Sequence, residues 1–299
     1  MYTADYFLMQ GMSGLVLGSL YALMALGLTL IFSVLKVINF AHGEFYVIGG
    51  YISYFLLSLV AGIPPIFGVL ASMVGLFFLG ALVEGTLLRP IHLGQVDRPD
   101  EYAILITFGL SFLFQNLLLS VCGPFPKTPP SFLQGGWRIG VMMISYDRII
   151  AAGIAIGIMT LMMWLVRSTW SGQALRAVSQ NKDAASIVGI NPLRMNTLAF
   201  AIGSALAGGS GALVAPVFSM APDAGVVPSI RSFIIVVLGG MGSIKGAIIG
   251  GLIIGLIETL GTAVIPDPSR ALAYKRVYGL IIFALVLLVR PQGLFGEEE

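Results

Sequence analysis

The sequence predicts an all-α membrane protein, a polytopic bundle of about eight transmembrane helices with one or two broken or re-entrant segments. Three observations carry this. Of the 299 residues, 57% are apolar and only 10% charged, against about 25% charged in an average soluble domain, and the mean hydropathy is +0.96. Apolar runs of the roughly 20 residues a spanning helix needs recur with short loops between them and leave no room for a separate soluble domain, so residues 1–299 read as one transmembrane domain. Small residues repeat at four-residue spacing, as in Gly14 and Gly18, Ala207 and Gly211, Gly246 and Gly250, Gly251 and Gly255. They let helix backbones approach closely in lipid, where no hydrophobic attraction drives helices together.

The runs fall at about 8–33, 45–62, 64–88, 102–122, 149–166, 194–218, 231–265 and 275–290. The N-terminal MYTADYF lacks the basic region of a signal peptide, so the first run is expected to remain as a membrane anchor. Gly62-Ile63-Pro64-Pro65 makes a tight turn, residues 89–101 a polar loop of mixed charge, and residues 123–147 a loop rich in Pro and Gly. The longest polar interruption is Ser171–Phe200, with Arg176, Lys182, Asp183 and Arg194. Lipid cannot satisfy these charges, so the segment must stand outside the hydrocarbon, and its Lys and Arg place it on the cytoplasmic side. Good helix formers run from Gln173 to Val188 and meet Gly189, a natural C-terminal stop, before the Asn191-Pro192 turn.

Counting from a cytoplasmic 167–193 puts 34–44 and 89–101 inside, and 62–65, 123–147 and the N-terminus outside. The side of the tail depends on the interrupted run 231–265. One crossing, favoured by Arg270, Lys275 and Arg276, ends it outside; two crossings, favoured by Arg290 and by the interruption itself, end it inside.

Two interruptions stand out. The first holds Lys36, Asn39, His42, Gly43 and Glu44, and the second Gly239, Gly240, Gly242, Ser243 and Lys245. Irregular backbone at membrane depth survives only where protein buries it or a watery cavity receives it, and paired interruptions of this kind point to a solute pathway. The plainer alternative is that both are ordinary turns at the cytoplasmic surface. Glu84 and Glu258 lie within or near the ends of apolar runs, where a carboxylate is a functional suspect by default. Their nearness to helix ends favours interfacial anchoring or interhelical hydrogen bonds over a proton relay.

No catalytic or metal site is expected. His42 and His92 stand alone, and Cys122 is the sole cysteine, so neither a zinc site nor an internal disulfide can be assembled. Gly208-Gly209-Ser210-Gly211 lacks the strand and histidine of a nucleophile elbow. The run ending in Lys245 fails the phosphate-loop pattern, because Ile244 precedes the lysine and Gly246 follows it. No cofactor is expected, and any ATP would have to be bound by a partner. A net charge of +2 gives no reason to expect nucleic acid.

Asp183-Ala184-Ala185, three residues and then Gly189 resembles the Glu-Ala-Ala-x3-Gly coupling motif of ABC importer permeases, with Asp for Glu. The blocks INFAHGEFYVIGGY at 38–51, TFGLSFLFQN at 107–116, VLGGMGSIKGAIIGG at 237–251 and RPQGLFG at 290–296 are similar to the branched-chain amino acid (LivH-type) branch. The likeness runs from about Gly11 to Gly296. It departs at Glu84–Pro90, where that family more often has Tyr before Arg-Pro. The resemblance implies a permease subunit in a bacterial inner membrane, working with a second related permease, two ATPase subunits, an extracytoplasmic substrate-binding protein and the surrounding lipid. It implies that segment 171–193 is a coupling element in which Arg176, Lys182, Asp183, Ala184, Ala185 and Gly189 meet an ATPase. Asn39, His42, Gly43, Glu44, Gly239, Gly240, Gly242 and Ser243 would border the translocation pathway.

Branched-chain amino acids are the leading substrate class, with urea or short amides as the alternative within the same family. A stand-alone ion-coupled carrier titrating Glu44, Glu84 or Glu258, a channel for a small neutral solute, and a partnerless interfacial helix at 171–193 are the competing readings.

Overall fold

The computed structural model describes residues 4–60, 62–139, 142–265, 268–290 and 292–296. Among them, six helices are long and apolar enough to cross a membrane: Tyr6–Leu35, Ile66–His92, Pro99–Cys122, Tyr146–Ser168, Pro192–Phe218 and Ile244–Ala263. Helix α1 spans Ala4–Leu35, α2 His42–Leu59 and α3 Ile66–Val83. α3 continues through a π turn at Glu84–Leu88 into α4, Arg89–His92, and is followed by α5, Pro99–Cys122. The π turn has a local cause. Pro90 has no N–H to donate and ends regular α bonding, and the Arg89 N–H reaches back five residues to Glu84 O. The deviation therefore lies in the Glu84–Pro90 block where the sequence departs from the LivH-type pattern.

A hairpin of β1, Gly136–Ile139, and β2, Met142–Ser145, lies within the loop 123–147. Helix α6, Tyr146–Ser168, follows it, capped by Ser145, whose side chain accepts from the Asp147 N–H. Next come α7, Trp170–Gln180, α8, Lys182–Ile187, α9, Pro192–Phe218, α10, Val226–Gly239, α11, Ile244–Ala263, and α12, Pro268–Val289. Several side chains of α12, including Arg270, Lys275 and Arg276, lie outside the described residues.

Helix α9 is the centre of the bundle, packing on α1, α2 and α3, and its inward faces are mostly Gly, Ala and Ser, with Phe200, Leu206 and Leu213 among them. The contacts with α1 and α2 are backbone on backbone, while α3 meets α9 mainly through side chains. A Cβ added at Gly203 would lie 2.6 Å from Gly27 O on α1, one at Gly208 2.7 Å from Leu76 on α3, and one at Gly211 1.8 Å from Tyr46 O on α2. Helix α11 docks on α1 in the same way. A Cβ at Gly251 would meet the Ala22 Cα at 2.6 Å, and one at Gly255 the Gly18 Cα at 2.3 Å. The four-residue small pairs read from the sequence thus lie at helix crossings.

The pairings also settle the order of passes. α9 and α11 both run antiparallel to α1, because Gly27 meets Gly203 while Leu20 meets Ser210, and Ala22 meets Gly251 while Gly14 meets Thr259. Residues 30–37, 91–100, 167–193 and 242–245 gather at one end of the bundle, where they line two shared cavities. The interrupted run 231–265 is two helices rather than one. α10 has 14 residues, only about 21 Å of helix, and it descends to the end where Gly242 approaches Ser33. The tail closes onto that end, since Leu294 N–H bonds Leu238 O at 2.8 Å and Phe295 N–H bonds Gly239 O at 3.0 Å. The C-terminal segment therefore lies on the same side as 171–193.

Replacing Gly255 by Val must force α1 and α11 apart, because both neighbours of the new side chain are backbone. Overpacking of this kind costs about 1–3 kcal/mol. Thermal unfolding of the purified protein is expected to show a lowered midpoint for Gly255→Val and none for Gly11→Ala, a position with open space around it.

Candidate functional site

At the end shared by 34–37 and the C-terminal tail, α6 turns into α7 through Thr169, whose hydroxyl accepts from the Gly172 N–H at 3.1 Å. Gly172 permits a tight joint, since a Cβ there would lie 2.4 Å from Leu165 O and from Val166 O. α7 buries Gly172, Ala174, Leu175 and Val178 and turns Arg176 outward. The sequence predicts one helix over Gln173–Val188, and the structure corrects this to two. Asn181 adopts an extended backbone, φ −155° and ψ 111°, and its side chain accepts from the Asp183 and Ala184 N–H groups. An asparagine gains more by capping a helix start than by continuing one.

Helix α8 ends in a double turn. The Gly189 N–H bonds Ser186 O at 3.0 Å and the Ile190 N–H bonds Ala185 O at 3.0 Å, with Gly189 at φ +86°. This left-handed cap is the arrangement that glycine supplies without steric penalty. Asn191 then caps α9, accepting from the Arg194 N–H at 3.2 Å. Ala185 is buried; Asp183, Ala184 and Gly189 are exposed. Ile187 and Val188, 85% and 74% exposed, stand at the tip as a bare apolar pair within the longest polar stretch of the chain. Lys182 is half-buried beside a cavity of about 460 Å³ that it shares with Lys36, His92, Asp100 and Asn196. Burial, and then the charge of Lys36, hold its ammonium below the usual lysine range.

The first interruption lies deeper. After α1 ends at Leu35, residues 36–41 run back along the helix, and the Nε2 of His42 lies 3.0 Å from Met24 O. A carbonyl only accepts, so Nε2 carries the proton. Met24 is eleven residues from the end of α1, about 16 Å along its axis, so α2 starts well inside the bundle. Asn39 shapes the approach by accepting from the Ala41 N–H at 3.0 Å, and Ser111 on α5 donates to Glu44 at 3.2 Å. Asn39, His42 and Glu44 are buried, yet Asn39 Nδ2, His42 Nδ1 and Glu44 Oε2 find no hydrogen-bond partner among the described residues. Gly43 packs on the start of α10, where a Cβ would lie 2.4 Å from Gly225 O.

The second group sits elsewhere. Gly239 packs on Gly246, Gly240 on the tail, and Gly242 beside Ser33. The Ser243 side chain caps α11 by accepting from the Gly246 N–H. Gly242, Ser243 and Lys245 share a cavity of about 340 Å³ with Arg167, Leu175, Arg176 and Ser179. Gly43 is thus held at the start of α10 and the second group at its end, about 20 Å apart, with Phe40 packed on Phe233 between them. The structure brings the second group next to α7 rather than next to His42.

Sequence reasoning missed one constellation. Arg231 on α10 pairs with Glu258 on α11, Nε to Oε1 at 3.0 Å. It also donates to the Tyr21 hydroxyl and lies 4.9 Å from that ring's centre, while Tyr21 donates to Glu258 Oε2 at 3.4 Å. Glu258 is thus an interhelical ion-pair partner. Glu84 is held differently: its Oε2 accepts from the hydroxyl of Thr197 on α9, while its buried Oε1 finds no partner among the described residues. Charge at both 231 and 258 was visible in the sequence, but nothing in their spacing joins them.

A model of the family described as "Branched-chain amino acid transport system / permease component" matches residues 11–289. The "High-affinity branched-chain amino acid transport system permease protein LivH" of Escherichia coli (strain K12) is 34% identical over 309 residues, covering 98% of this chain and 97% of that protein. The corresponding protein BraD of Pseudomonas aeruginosa is 32% identical over 307 residues, with the same coverage. The "High-affinity branched-chain amino acid transport system permease protein LivM" of Escherichia coli (strain K12) is 26% identical over 308 residues, 92% of this chain and 67% of that protein. No solved structure matches. With its multi-pass helical architecture and a family match that runs almost end to end, the chain belongs to the branched-chain amino acid transport system permease family.

Proposed function

We propose that this chain is one permease subunit of an ATP-driven importer of branched-chain amino acids, working by alternating access in a bacterial inner membrane. The observation that carries the reading is the α7–α8 pair, a capped polar element that presents Asp183, Ala184, Ile187, Val188 and Gly189 beyond the bundle. An apolar tip held by rigid caps is suited to a cleft in a partner, and its joint to α6 through Gly172 would pass a push directly into the bundle. Coupling requires contacts that differ in energy between two states of the pair, and two ATPase subunits would supply them by binding and hydrolysing ATP. The chain itself would hold neither nucleotide nor other cofactor.

A second permease is favoured because LivH and LivM of Escherichia coli (strain K12) carry the same system name and both resemble this chain. An extracytoplasmic binding protein would deliver substrate at the end formed by the hairpin β1–β2 and the loop that follows α9. Residues 1–299 would act as one permease domain, with 171–193 as its coupling element. Asn39, His42 and Glu44, which carry unpaired polar atoms at depth, would border the pathway together with Gly43. Gly239, Gly240, Gly242 and Ser243 would transmit motion between α7 and α10.

Four outcomes test this. Ile187→Glu with Val188→Glu is expected to weaken co-purification of the ATPase subunits by about tenfold or more, roughly 1.4 kcal/mol or more, while the unfolding midpoint of the isolated chain stays unchanged. Gly189→Asp, which adds a second carboxylate to the exposed tip that carries Asp183, should abolish uptake with membrane insertion intact. Gly189→Asn should retain uptake, because asparagine tolerates that conformation. In vesicles loaded with ATP but carrying no ion gradient, leucine uptake by the assembled complex should proceed. Arrest of uptake there would instead mark an ion-coupled carrier.

A further inference from the structure

A cavity of about 240 Å³ lies between the last turn of α9 and the first turn of α10, at the end of the bundle away from α8. Leu20, Met24, Tyr46, Val214, Phe218 and Arg231 are among the residues that face it. Its size is below the roughly 300–1,000 Å³ of pockets that take drug-sized ligands, which suits a single amino acid. Charge is arranged across it. α9 ends here, and the C-terminus of a 27-residue helix is the negative end of its dipole. α10 begins here, presenting a positive end, and Arg231 stands one to two turns into it.

Discontinuous helices turn their N-terminal ends toward anionic groups and their C-terminal ends toward cations inside a membrane. Arg231 adds what a helix start alone does not. Its Nε is engaged by Glu258 and its Nη1 by the Tyr21 hydroxyl, which fixes the plane of the guanidinium while Nη2 makes no hydrogen bond to any described residue. Met24, Val214 and Phe218 supply the apolar wall.

We infer that this cavity is a transit site for an amino acid zwitterion with an aliphatic side chain, its carboxylate on Arg231 and the start of α10, its ammonium toward the end of α9. The inference rests on the importer reading and names where that importer holds its substrate. Glu258 acts as a positioning residue, since it neutralises Arg231 and orients it. A zwitterion adds no net charge to the site, whereas a lone carboxylate or a lone ammonium would bring one buried, unmatched charge with it.

The test is protection of a cysteine in the cavity wall. Ala224→Cys is made in a Cys122→Ala background, and its rate of modification by a methanethiosulfonate reagent is followed in the purified full chain and in the assembled complex. Leucine is expected to slow labelling severalfold, while leucinamide, which lacks the carboxylate, and 3-methylbutanoate, which lacks the ammonium, leave it unchanged. Arg231→Lys should remove the leucine protection, because lysine keeps the charge but not the planar fork. The comparison among the three probes uses the native Arg231, so a poorly folding Arg231→Lys does not affect it. No protection by leucine, or equal protection by leucinamide or 3-methylbutanoate, overturns the site. ATP-driven uptake without protection sinks the site alone; protection without ATP-driven uptake sinks the importer reading and leaves a binding cavity.

Discussion

The absence of water in the hydrocarbon governs this molecule. Backbone groups that leave a helix there must be covered by other protein, and this chain covers them by bringing helices to backbone contact. The Gly, Ala and Ser faces of α9 and the Gly251 and Gly255 face of α11 are the means. Only because α9 fits so closely against α2 can that helix start at depth, with His42 on the carbonyl of Met24. The same closeness lets α10 stop and start within the bundle. A bulkier set of side chains would give a bundle of full crossings with no interior helix ends.

Those interior ends carry the chemistry. Where α9 yields to α10, opposed dipoles and Arg231 border one small cavity. Where α10 yields to α11, Gly239 and Gly246 touch, and the Gly242–Lys245 turn shares a second cavity with α7. α10 is thus a short rod with the outer cavity at one end and the polar α7–α8 element near the other. A displacement of α7 has a route to Arg231 through α1, which packs on both α7 and α10 and carries Tyr21. Tyr21 and Glu258 hold that arginine against α1 and α11. Removing one partner of a buried pair is costly, of order 3–5 kcal/mol, so the rod and its neighbours are expected to move as a unit.

Much of this was legible in the residues. Composition and run lengths gave the helical membrane class, the four-residue small pairs marked crossings now seen between α1, α9, α10 and α11, and the Asp183–Gly189 pattern located the capped end of α8. What remained hidden has physical reasons. Asn181 sits among helix formers, and only its backbone angles show that it caps a second helix rather than continuing the first. Gly239–Ser243 reads as a break, but its depth depends on where α10 starts, which the Pro222–Gly225 turn sets and the apolar runs do not show. Arg231 and Glu258 meet across two helices, and Tyr21 joins them from 210 residues away. Hydropathy along one chain carries no signal for such a meeting.

The central claim is that the tip of α8 and the outer cavity are two ends of one mechanical path. Spin labels are placed at Gln180→Cys, next to the start of α8, and Val226→Cys, at the start of α10 but outside the cavity lining, both exposed positions. In the Cys122→Ala chain assembled with the ATPase subunits proposed above, they give the distance between them by pulsed electron resonance. Addition of ATP is expected to shift that distance distribution to a second discrete value, reversed on hydrolysis. A distribution that stays fixed while leucine uptake proceeds would contradict a lever running from α8 to the cavity.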